Sequence, residues 1–154
     1  MKNYQDGGEA ILEAFRRLGA DYVISSPGSE WASIWEALAR QKRDKLEGPD
    51  YIDCGHESIA VNMATAYTKI TGRLQVVLLH AGAGIMQGTM AVDAAGAMET
   101  PLVVMSGEVL GYGEGDFDPG SQWYRNLSVP GGTQKLIEPA VKWSQQVASI
   151  DTLH

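Results

Sequence analysis

The sequence predicts an α/β fold in three layers: a doubly wound, mostly parallel sheet with helices on both faces. Two observations carry that expectation. Helical and strand signals alternate along the chain, and the strongest strand candidates, "LQVVLLH" and "PLVVMS", are unbroken apolar runs. A strand with one wet face would alternate polar with apolar residues, whereas unbroken runs belong to parallel strands covered above and below. The 154 residues suffice for one domain with a real core and are short for two.

In order, "EAILEAFRRLGA" is an amphipathic helix with Ile11, Leu12, Phe15 and Leu18 on one face and Gly19 as its stop. "DYVIS" is a short strand ended by the turn Ser26-Pro27-Gly28. "SEWASIWEALARQ" is a second helix, N-capped by Ser29, with Trp31, Ile34, Trp35 and Leu38 along one side. "YIDC" is a weaker strand, and residues 57–71 form a third helix closed by Gly72. "LQVVLLH" leads into a glycine- and alanine-rich helix over 83–98, and "PLVVMS" is the next strand. Residues 107–132 form a glycine-rich loop, of a length that in compact domains usually carries function or mobility. "AVKWSQQV" reads as a last strand, and "SIDTLH" offers helix-capping residues with no helix behind them. The expectation is one domain over 1–154 that stops short of its last helix and strand, either as a fragment or because another chain supplies them.

Composition excludes several classes. With 44% hydrophobic and 20% charged residues the chain is globular, not disordered. A net charge of −7 argues against nucleic acid or an anionic membrane as partner, since both require basic patches. Arg16, Arg17 and the run Lys42-Arg43-Asp44-Lys45 sit at helix ends, where cations suit the dipole. Cys54 is the only cysteine, which rules out an internal disulfide and fits a reducing compartment. A lone buried thiol is more often a small filler than a nucleophile. "MKNYQDGGEA" lacks a signal-peptide core, and no run approaches the ~20 apolar residues of a membrane span. These features predict a cytoplasmic protein.

Ligands of such sheets bind at the carboxyl ends of the strands. That points to four loops: "SSPGS", "CGHE", "HAGAGIMQG" and "SGEVLGYGEGDFDPGSQW". Glu57 shares a helix face with Ala60, Val61 and Ala64, and the next charge is Lys69. It is either a functional carboxylate or an acid placed to suit the helix dipole, worth about a few tenths of a kcal/mol. His56 beside it reads as a loop hydrogen-bonder. His80, at the carboxyl end of a buried strand, is better placed for chemistry, although core histidines are common there. Gly82, Gly84 and Gly88 form G-x-G-x-x-x-G between a strand and a helix, the setting of a dinucleotide loop, and Glu108 then becomes a ribose ligand. Against this, the motif follows the third strand, whereas the fingerprint belongs in the first βα turn. The other account is that these glycines let the helix pack closely on its neighbours.

Together, "SPGSEW", "GHESIAVNMATAYTKITGR", "LLHAGAGIMQGTMAVDAAGAMETPLVVMSGE" and "GSQW" resemble, in order and spacing, the pyrimidine-binding (N-terminal) domain of thiamine-diphosphate-dependent enzymes, with the acetolactate synthase and benzoylformate decarboxylase group nearest. The resemblance spans essentially the whole chain and is most specific in the middle. It implies that Glu57 hydrogen-bonds N1′ of the cofactor's aminopyrimidine ring, favouring the imino form that activates C2 of the thiazolium for attack on a 2-oxo acid. Desolvation against Ala60, Val61 and Ala64 is expected to suit that acid–base role. By the same resemblance Pro27, Gly82, Gln87 and Gln122 lie on the cofactor, Ser29 faces the substrate carboxylate, and His80 relays protons beside the reaction centre. A histidine at that position leans towards a decarboxylase over a carboligase.

The family's diphosphate and magnesium are held by a second domain carrying a G-D-G motif, and no G-D-G occurs in this sequence. The resemblance therefore implies half a site with no metal ligands of its own. The diphosphate-binding domain would be supplied in trans or by further chain, in a homo-oligomeric lyase or transferase acting on a small 2-oxo acid. The competing classes are a dinucleotide-binding oxidoreductase domain and a non-catalytic binding subunit of the same fold.

Overall fold

Four strands, β1 (Tyr22–Ser26), β2 (Asp50–Asp53), β3 (Gln75–Leu79) and β4 (Leu102–Ser106), pair in parallel in the order β2-β1-β3-β4. They belong to a computed structural model that describes residues 4–107, 129 and 131–147. Between them run α1 (Gly7–Arg17), α2 (Ala32–Arg43), α3 (Glu57–Thr71) and α4 (Ala83–Ala97), followed by the short α5 (Thr133–Ile137).

The pleat sorts the core into two halves. Val23, Val76 and Leu78 pack with Leu12, Phe15, Ile34 and Ala37 of α1 and α2. Ile24, Val77 and Leu79 pack with Ala60, Val61 and Ala64 of α3 and Ile85 and Val92 of α4. Val76 to Leu79 are all 0% exposed, so β3 is buried on both faces as its unbroken apolar run requires. Each such side chain contributes about 1.5–3 kcal/mol relative to an exposed one. The three-layer parallel architecture is the one the sequence predicts.

Direction matters for the site. The chain leaves β1 towards β2 through α2 on one face, and leaves β3 towards β4 through α4 on the other. Right-handed crossovers running in opposite directions must use opposite faces. The two connections therefore diverge, and a crevice opens between the carboxyl ends of β1 and β3.

Gln75 and the helix ends pair their polar groups along this frame. Gln75 accepts from the Tyr22 amide and donates to the Arg73 carbonyl, both at 2.9 Å. Asp6 caps α1, accepting from the Glu9 amide at 2.8 Å, so the helix starts before the run that announced it. Leu18, expected on the buried face, is 49% exposed because α1 ends at Arg17. His56 caps α3, its Nδ1 accepting from the Ser58 amide at 3.1 Å, and Gly72 closes that helix at φ 71°. No helix among the described residues is long and apolar enough to cross a membrane.

Two sequence expectations are corrected. Ser29 does not cap α2: it opens a 3-10 turn (Ser29–Trp31) that begins after Gly28 with no side-chain cap, and α2 starts at Ala32. Trp31 explains the tighter winding. Its ring is 7% exposed, and its indole N–H donates to the Leu79 carbonyl at 3.0 Å, drawing the turn onto the end of β3. "AVKWSQQV" is not a strand. Ala140 ends a 3-10 turn (Glu138–Ala140) against Gly96 of α4, so the segment starts in the helix layer and not beside β4. Its apolar Trp143 and Val147 are 75% and 50% exposed, and the segment joins no sheet among the described residues.

Replacing Trp31 by Phe keeps an aromatic ring but deletes a buried donor to Leu79. We expect a loss of about 1–2 kcal/mol, read as a lower urea midpoint at constant slope. An unchanged midpoint would show that the indole hydrogen bond does not hold the turn.

Candidate active site

The β1–β3 crevice gathers side chains from three segments. Glu57 is the first residue of α3 and is half-buried. Its helix packs against α4, and the approach is close because α4 presents glycines there. A Cβ added at Gly84 would lie 2.9 Å from His80 Cβ and 3.2 Å from Glu57 Oε1. One added at Gly88 would lie 2.8 Å from Leu79 Cδ1 and 3.7 Å from Glu57 Cβ. The Glu57 carboxylate thus rests on a glycine floor beside His80. Among the described residues it has no hydrogen-bond or ion-pair partner. The residues sharing its helix face, Ala60, Val61 and Ala64, are 0% exposed.

His80 follows β3 and is bound to an acid from the other side of the crevice. Its Nδ1 lies 2.8 Å from Glu30 Oε1 and 3.0 Å from Oε2, and the Ala81 amide donates to the same Oε1 at 2.6 Å. Two more glycines make room. A Cβ at Gly28 would run into the His80 ring, and one at Gly107 would lie 2.6 Å from Glu30 Cγ. Glu30, quoted in "SPGSEW" but not singled out, is the residue that sequence reasoning missed. Its signal was the neighbouring Trp31, too large to stay exposed, whose burial turns Glu30 towards β3.

The other sequence candidates divide. Ser29 is exposed beside Glu30 in the 3-10 turn, and Pro27 leads into that turn. Gly82 begins α4 at φ 58°, a backbone that disfavours side chains. Gln87 is exposed, and its carbonyl accepts from the Ser58 hydroxyl at 2.8 Å, tying the first turn of α3 to α4. Gln122 and Glu108 lie outside the described residues. Gly82, Gly84 and Gly88 serve a turn and a helix contact, the packing role weighed against a dinucleotide loop. Among the described residues no group of three or more His, Cys, Asp or Glu is arranged to hold a metal ion.

A concavity of about 600 Å³ lies elsewhere, at the amino ends of β1 and β2, lined among others by Asp21, Tyr67 and Arg73. It is polar, and Asp21 and Arg73 already pair across it at 2.6 Å. The carboxyl-end crevice carries the chemistry-bearing side chains and is the candidate site.

Residues 5–134 match the family model described as "Thiamine pyrophosphate enzyme, N-terminal TPP binding domain". The chain is 31% identical over 104 residues to an acetolactate synthase large subunit of Haemophilus influenzae, which covers 68% of this chain and 17% of that protein. It is 30% identical over 147 residues to an acetolactate synthase of Bacillus subtilis, covering 96% of this chain and 23% of that one. Among solved structures, the thiamine diphosphate-dependent 4-hydroxybenzoylformate decarboxylase of Rhodococcus jostii RHA1 superposes with a TM-score of 0.66 at 24% identity, over 92% of this chain and 24% of that chain, a likeness of fold. The chain thus spans about a sixth to a quarter of the relatives it matches.

Cys54 precedes the site but is not equipped for it. The thiol is buried and 3.6 Å from Met63 Sδ. Burial pushes its pKa up, and the charge of Asp53 adds to the shift. A raised pKa leaves less thiolate at any given pH. Iodoacetamide at pH 8 should therefore label the Cys54 peptide slowly in the native protein and rapidly in urea. Fast native labelling in a peptide map would contradict this.

Proposed function

The chain belongs to the family of N-terminal thiamine pyrophosphate-binding domains, and from that premise we propose that it is the pyrimidine-binding half of a 2-oxo acid decarboxylase or an acetolactate synthase-like carboligase. The observation that carries this reading is the Glu57 carboxylate, without a partner among the described residues and half-buried over Gly84 at the head of an apolar helix. An acid left without a partner in such a place is matched to a polar group that arrives with a ligand. The aminopyrimidine ring fits the chemistry: a flat heterocycle with a ring nitrogen to meet the acid and apolar faces to meet the rest.

Bound thiamine diphosphate supplies the nucleophilic carbon and the electron sink that decarboxylation of a 2-oxo acid needs. The residues of this chain bind, orient and move protons. Glu57 holds a proton at the ring nitrogen N1′, and Ala60, Val61 and Ala64 behind it keep water from competing for that bond. Pro27, Gly82 and Gln87, with Gln122, border the cofactor. Ser29 meets the substrate carboxylate, and His80 moves a proton beside the reacting carbon. The diphosphate and its magnesium fall to a second domain, on further chain or a separate subunit, in a homo-oligomer.

Glu57→Gln in the assembled enzyme should slow exchange of the cofactor's C2 proton by ~10²–10⁴-fold, the range for positioned acid–base groups, with the fold intact by circular dichroism. Exchange at the wild-type rate in the folded variant would overturn the reading.

A further inference from the structure

We propose that Glu30 is a positioning residue that fixes the tautomer and ring orientation of His80, so that this histidine gives and takes protons at Nε2. A carboxylate accepts and does not donate, so an imidazole nitrogen 2.8 Å and 3.0 Å from its two oxygens carries the hydrogen. Nδ1 is thereby committed. Nε2, with no partner among the described residues, is left to exchange protons. When Nε2–H gives up its proton, the ring that remains is the neutral Nδ1–H form, already bonded to Glu30. When Nε2 takes a proton, the adjacent carboxylate balances the imidazolium charge. Neither step requires the ring to flip.

The arrangement is held from several sides, which separates it from an incidental ion pair. Glu30 Oε1 is fixed by the Ala81 backbone amide at 2.6 Å. The turn carrying Glu30 is anchored by the Trp31 indole on the Leu79 carbonyl. The Ser106 hydroxyl lies between the Gly107 carbonyl at 3.0 Å and the His80 carbonyl at 3.3 Å. Gly28 and Gly107 leave the space that the ring and the carboxylate occupy. The His80 and Glu30 side chains are 26% and 22% exposed, so water competes only partly for the bond. Glu57 is the other acid over the same floor, and its oxygens make no bond to His80.

This assignment rests on the proposed substrate-side role of His80, but its first test does not. The imidazole ¹⁵N spectrum of His80 in the assembled protein without cofactor should show the Nδ1–H tautomer, with Nε2 bare, at neutral to alkaline pH. An Nε2–H tautomer there would overturn the proposal without any variant being made. Glu30→Gln, which presents an amide of the same shape, should shift the signal towards the Nε2–H form. With pyruvate as the probe substrate, the same variant should lower kcat roughly 10–100-fold, the loss seen when the carboxylate orienting a metal-bound imidazole is removed. KM and the thermal midpoint should hold. In a His80→Ala background Glu30→Gln should cost nothing further, because its effect acts through the ring. Full additivity of the two losses would instead place Glu30 in a role independent of His80. C2 proton exchange should be unchanged in Glu30→Gln, so a failure here stays distinct from a failure of the Glu57 reading.

Discussion

The carbonyl of Leu79 is the joint on which the site depends. It ends the most buried strand and accepts from the Trp31 indole at 3.0 Å and from the Gly107 amide at 3.4 Å. One bond brings in the chain that leaves β1, the other the chain that leaves β4. A backbone acceptor buried at a strand end needs such partners, since leaving it unsatisfied costs about 1–3 kcal/mol. The same pairing that satisfies the sheet therefore delivers Glu30 to His80. The catalytic proposal and the stability of the strand end are consequences of one local requirement.

Glycine supplies the second constraint. Around the crevice Gly28, Gly84 and Gly107 each stand where a Cβ would strike His80, Glu57 or Glu30. None of the three has the positive φ that would make glycine a backbone necessity. They are there for space. Two acids and an imidazole are packed between three strand ends and a helix, closer than alanine in those positions would allow. Gly82 differs: its φ of 58° turns the chain from β3 into α4 and so aims Gly84 at Glu57.

Most of the fold was legible in the sequence because its signals are local. Apolar runs marked β1, β3 and β4, amphipathic spacing marked α1 and α2, and Gly72 stopped α3 where expected. The misreadings share a cause. Ser29 looked like a cap because serine before a helical run usually is one, but the burial of Trp31, a tertiary effect, rewound the turn. "AVKWSQQV" read as a strand, but Ala140 sits against Gly96 of α4, which starts the segment in the helix layer and away from the edge of β4. In the site, Glu57 and His80 could be found because each is a polar residue in an apolar context. Glu30 was harder to find, because an acid in a polar loop carries no such contrast and its one signal was indirect, the large neighbour Trp31. Its significance comes from a neighbour 50 residues away in sequence.

Consistency between local and global preferences is what lets a sequence specify a fold, and departures from it collect where function is built. Here they collect at one edge of the sheet. An acid heads a helix whose face is otherwise small and apolar, a histidine follows a strand that is fully buried, and a second acid is drawn out of a loop to meet it. Each is costly to desolvate alone. Glu30 and His80 offset that cost by bonding to each other. Glu57, over Gly84 and with no partner among the described residues, does not. That asymmetry separates the roles: a closed pair is suited to holding a proton in a fixed direction, whereas an open carboxylate is suited to receiving a ring nitrogen that the chain itself does not provide.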